Sequence, residues 1–86
     1  MERYEEAITV LKKALHYLPD FLPAHVFLAV CYAALGREEE AHAEAAEVLR
    51  LNPKFSVKKL AKTSPIRDKA VRERYIDALR KAGLPD

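Results

Sequence analysis

The side chains able to do chemistry are few. His16, His25 and His42 stand nine and seventeen residues apart, so no two of them fall one helical turn apart as a zinc site on a helix requires. They read as ordinary core or surface histidines. Cys31 is the one cysteine; it can form no intrachain disulfide, and it lies in an apolar stretch with no adjacent base to activate it. A reducing, cytoplasmic setting fits it. No serine sits in a nucleophile motif, and two glycines cannot build a phosphate-cradling loop. The expectation is no catalytic residue, no metal site and no cofactor, and therefore no enzyme.

Charge is the next candidate. Residues 1–53 carry five basic and nine acidic groups, whereas residues 54–86 carry ten basic and four acidic. The basic cluster comprises Lys54, Lys58, Lys59, Lys62, Arg67, Lys69, Arg72 and Arg74. Lys58, Lys59 and Lys62 would share one helical face, suited to phosphates or to an acidic surface such as Glu38, Glu39, Glu40, Glu44 and Glu47 of another copy. Aromatic residues for base stacking are absent among them, and no nucleic-acid-binding signature accompanies the charge. A solvated face is the primary reading, and nucleic-acid or acidic-surface binding the alternative.

These residues must be positioned by a small scaffold. A chain of 86 residues forms one domain that buries roughly 60% of its unfolded surface. Half the residues are hydrophobic and a third charged, a balance that favours a folded, helical chain. The N-terminus MERYEEAI lacks the basic-then-apolar order of a signal peptide. The most apolar stretch, Phe21 to Leu35, is interrupted by Pro23 and His25 and is too short to span a membrane.

The chain also repeats itself. Shifted by 34 residues, Arg3 falls on Arg37, Glu5 on Glu39, Glu6 on Glu40, Ala7 on Ala41, Leu15 on Leu49, Pro19 on Pro53 and Phe21 on Phe55. That period is the length of a helix-turn-helix unit that buries its apolar stripe by stacking on its neighbours. Gly36 suits the end of a first helix and Pro53 stops a second.

In the unit from Leu22 to Pro53, the residues Leu28, Ala29, Tyr32, Gly36, Ala41, Leu49 and Pro53 resemble the tetratricopeptide repeat signature, with Val48 where that family usually has alanine. The resemblance implies an all-α, right-handed superhelix of about five helices in a single domain over 1–86. Residues 3–19 would be a half repeat, 22–53 a full repeat and 54–86 a degenerate repeat with capping helices. Ala29 and Ala41 would be small because two helices cross there. His25 and Ala45 depart from the pattern and imply looser local packing. Ser56 can cap a short helix that Pro65 interrupts, and Asp68 can cap a last one that ends at Gly83. Val71, Tyr75, Ile76 and Leu79 give that last helix one apolar stripe.

Two binding surfaces follow. In such arrays the first helices line a concave groove, so Val26, Phe27, Val30 and Ala33 are expected either to receive an apolar helix or peptide of a protein partner or to be covered in part by a helix preceding Met1. A groove that clamps a peptide's terminal carboxylate would need lysine, arginine and asparagine there instead. Residues 3–18 match a second helix whose first helix would lie before Met1. Ile8, Leu11 and Leu15 are therefore expected to be uncovered and to drive self-association. The tail NPKFSVKKLAKTSPIRDKAVRERYIDALRKAGLPD is similar to the C-termini of bacterial adenylate/guanylate cyclases that carry tetratricopeptide repeats. That likeness implies a scaffolding or regulatory segment of a larger bacterial protein.

Overall fold

The computed structural model describes residues 3–63 and 67–86. Pro65, expected to interrupt a helix, lies outside them. Among the described residues there are five helices and no strand: α1 (Tyr4–Tyr17), α2 (Leu22–Ala34), α3 (Glu38–Leu51), α4 (Val57–Thr63) and α5 (Lys69–Lys81).

The 34-residue period recurs in backbone geometry. A proline disfavours helical conformation in the residue before it, and both second helices end on that rule. Leu18, before Pro19, has φ −131° and ψ 78°; Asn52, before Pro53, has φ −142° and ψ 86°. Each donates its N–H at 2.8 Å to the carbonyl four residues back, Ala14 and Val48 respectively. The starts agree as well: Glu5 and Glu6 lie in the first turn of α1, and Glu38, Glu39 and Glu40 in that of α3, where carboxylates oppose the positive end of the helix dipole.

Helix α2 begins with Pro23 in its first turn, a position where the missing N–H has no helical partner to lose. It ends at Gly36, whose φ of +76° is the left-handed conformation that a side chain disfavours. There the N–H of Arg37 reaches the Tyr32 carbonyl at 2.8 Å, and that of Gly36 reaches Ala33 at 3.1 Å. This pairing is a Schellman cap. Helix α5 closes the same way: Gly83 has φ +99°, Leu84 donates to Leu79 at 3.2 Å and Gly83 to Arg80 at 3.0 Å. At its start Asp68 accepts the Val71 N–H at 3.1 Å.

Helix α2 is the hub. Ala24, His25, Val26, Leu28, Ala29, Val30, Cys31 and Tyr32 are all buried, as expected of a helix that is apolar nearly all round and enclosed by others. It packs against α3, α1 and α5. Ala29 of α2 and Ala41 of α3 are both fully buried, and the two helices that carry them pack together. Shifting the repeat by one unit would make α4 the counterpart of α2. The structure departs from that: α4 is only seven residues long and packs on α5, while α5 lies along α2.

The chain end ties α4 to α5. Val57, fully buried, donates its N–H to the Pro85 carbonyl at 2.9 Å. Ser56 Oγ donates to the Asp86 carbonyl and accepts the Lys59 N–H at 3.2 Å, the expected cap. Arg80 Nε donates to Asp86 at 3.0 Å.

His25 corrects one expectation. Looser packing was anticipated around it, yet it is only 6% exposed and both ring nitrogens are engaged. Nδ1 lies 2.7 Å from Glu44 Oε1 on α3, and Nε2 lies 2.8 Å from the Pro19 carbonyl. The imidazole therefore bridges the α1–α2 turn to α3. Ala45 is likewise buried, at 4%.

Candidate functional site: a cleft between three helices

Helices α1 and α5 flank α2 and leave a cleft of about 770 Å³ over it. Its floor comes from α2, with Val30, Cys31, Ala33 and Ala34; one wall comes from Tyr4 and Ala7 of α1, the other from Val71, Tyr75 and Ala78 of α5. Two of these four floor residues are alanines, small enough for α2 to admit neighbours on several sides. Phe27 stands at the edge of the cleft, 48% exposed, with its ring edge-to-face on Tyr75 at a centroid distance of 5.8 Å. Offset and edge-on geometries of this kind are favourable for aromatic pairs. Val71, 45% exposed, occupies the facing helix. Arg3, Arg74, Asp77 and Lys81 contribute the charge around the cleft.

The groups that could react there are subdued. Burial pushes the Cys31 thiol up from its ordinary value, which holds it as the poorly nucleophilic thiol. Burial also raises the Tyr75 phenol, with a smaller contribution from Cys31. What the cleft offers is apolar surface of defined shape.

Of the four residues expected to form a groove, Phe27, Val30 and Ala33 line this cleft, while Val26 is buried in the core and takes no part in its lining. The sequence reading missed the contribution of Val71 and Tyr75, because it assigned their apolar stripe to a closing cap. Their spacing of four residues was the signal: it puts both on one helical face.

The expected self-association patch is covered only in part. Ile8 is 5% exposed, and Leu11 and Leu15 are partly buried against the same core, so this stripe of α1 faces inward. The repeat explains the discrepancy. Ala41, Ala45 and Val48 of α3 are all sealed, whereas their counterparts Ala7, Leu11 and Ala14 on α1 are only half-buried. The more open part of α1 thus includes Leu11 of that stripe together with Ala7 and Ala14, and Val10, 66% exposed, also remains in solvent.

The basic cluster is split by the fold. Arg74 reaches the cleft; Lys54, Lys58, Lys59 and Lys62 lie exposed at the α3–α4 junction. The three histidines stay apart in role. His16 stacks edge-on against Tyr17 at 5.3 Å, His25 bridges two elements, and His42 Nε2 lies 3.3 Å from the Lys81 carbonyl. No described helix is long and apolar enough to cross a membrane.

No curated protein and no solved structure matches the chain. A family model does: that of the tetratricopeptide repeat matches residues 1–63, which takes in α1 to α4 and the two halves of the period. With an all-helical fold, repeated helix ends and a family match over most of its length, the chain belongs to the tetratricopeptide repeat family.

Proposed function

We propose that this chain is a protein-interaction module whose cleft between α1, α2 and α5 receives an apolar helix or peptide of a partner protein. The observation that carries this reading is the pair Phe27 and Val71. Both stand nearly half exposed on facing helices beside an alanine-rich floor, and exposed apolar surface gathered in a concavity is a common mark of a contact site. Completing the burial of each side chain would contribute about 1 kcal/mol before ordering costs, so useful affinity requires several such contacts along the cleft. Binding rather than catalysis fits the raised thiol of Cys31.

The test uses helical peptides selected for binding by display and followed through backbone amide shifts. Perturbations should centre on Phe27, Ala33, Val71 and Tyr75, and Phe27→Ser should lower affinity about tenfold with the circular dichroism spectrum retained. Shifts confined to another face, or indifference to Phe27→Ser, would refute the reading.

Self-association through α1 is a second proposal, supported by the half-open Ala7 and Ala14 and by exposed Val10 rather than by the inward Ile8. Sedimentation should reveal a dimer that Val10→Glu weakens; a monomer at every concentration would contradict it. In the cell, the reading makes the module a cytoplasmic scaffold or regulatory segment of a larger bacterial protein, with the cyclase-like tail sequence as its support.

A further inference from the structure

A second concavity, of about 610 Å³, opens where α3 leads into α4. Lys54, Lys59 and Lys62 line it together with Phe55 and Leu60, and no acidic residue contributes to its lining. Phe55 and Leu60 are partly buried against the hydrophobic core, which fixes them as an apolar floor. Ser56 caps α4 and is itself held by the chain end, which fixes the turn from which the lysines project.

The charge here differs from that of α3. Glu40 lies 2.7 Å from Arg37, Glu44 2.7 Å from His25 and Glu47 3.1 Å from Arg50, so three of the five carboxylates of α3 are paired within the chain. Among the described residues, the ammonium groups of Lys54, Lys59 and Lys62 have no such carboxylate. Three cations with no carboxylate partner among the described residues are thus gathered around one apolar basin.

We propose that this basin docks an acidic peptide segment that carries one apolar anchor side chain. The anchor rests on Phe55 and Leu60, and flanking carboxylates meet the lysines. Lysine suits that task, since its ammonium is a mobile point charge that meets carboxylates in many geometries, and complementary charge speeds encounter and excludes basic segments. A nucleic-acid strand is the poorer fit. It calls for a groove that follows several phosphates with repeated stacking platforms, whereas one half-buried aromatic stands here.

Fluorescence anisotropy with a labelled peptide of a single leucine flanked by glutamates tests the proposal on the full chain. Two comparison probes are the same peptide with lysines for glutamates and a single-stranded DNA oligonucleotide of equal net charge. The acidic peptide should bind, and binding should fade as ionic strength rises to about 0.5 M. The exposed double substitution Lys59→Glu with Lys62→Glu should weaken it about tenfold or more, while Phe27→Ser in the other cleft should leave it unchanged. No binding of the acidic peptide, equal binding of the lysine peptide, indifference to the double substitution, or tighter binding of the oligonucleotide would each overturn the proposal.

Discussion

Replacing His25 with glutamine puts the bridge between the α1–α2 turn and α3 to a quantitative test. Both imidazole nitrogens face acceptors: the Pro19 carbonyl can only accept, and so can an ionised Glu44. Geometry therefore favours the doubly protonated ring. Burial opposes that charge, but the Glu44 hydrogen bond, the Pro19 carbonyl and the fields of Glu44 and Glu47 outweigh it, and the His25 pKa is raised above its ordinary value.

The side chains are 8% and 21% exposed, so solvent can replace little of what is lost. A charge-assisted hydrogen bond removed from such a site costs about 1.5–3 kcal/mol, and a chain of this length has a total stability of roughly 4–13 kcal/mol. The loss should therefore be large on the scale of the whole fold. Because the folded pKa lies above the unfolded one, the stabilisation is fully present below about pH 6.5 and is lost as pH rises through the folded value. Urea unfolding followed by circular dichroism, on wild type, His25→Gln, Glu44→Gln and the double variant, measures the coupling directly. The coupling should be greatest near pH 6 and shrink towards pH 9. A coupling that does not change across that range, or that grows with pH, would refute the charged-bridge account.

Two further outcomes concern the scaffold itself. Gly36→Ala meets no atom within 4 Å of the added methyl, so its cost should be the left-handed backbone alone, about 1–2 kcal/mol by thermal or urea unfolding; a neutral result would contradict the Schellman geometry. Leu79→Ala removes a fully buried side chain from α5, and a loss of about 2–5 kcal/mol in one cooperative transition is expected if α5 belongs to the core with α2. Separate unfolding of α5 would show otherwise.

Much of the architecture could be read from residue types because its signals are local. A proline acts on the residue before it, and a glycine tolerates the backbone that ends a helix. The 34-residue period thus announced matching helix ends at Leu18 and Asn52 and the Gly36 cap. Groove residues were partly legible: Phe27, Val30 and Ala33 share a face of an apolar helix, and the cleft opens along it. Val26 and Ile8 lie buried where exposure was expected, because periodicity tells which residues share a stripe but not which neighbour that stripe meets.

The sequence by itself determined the helices, their caps, the repeat and the uneven distribution of charge, all of which arise from interactions among residues close in the chain. Tertiary structure alone decided that α5 rather than α4 lies along α2, that Ile8 turns inward, and that Phe55 comes to underlie the lysines. It also decided that His25 finds Glu44 nineteen residues away. Each of these depends on how a helix is rotated and which neighbour it packs against, and that choice is made by the best joint burial of all the helices, not by any one of them.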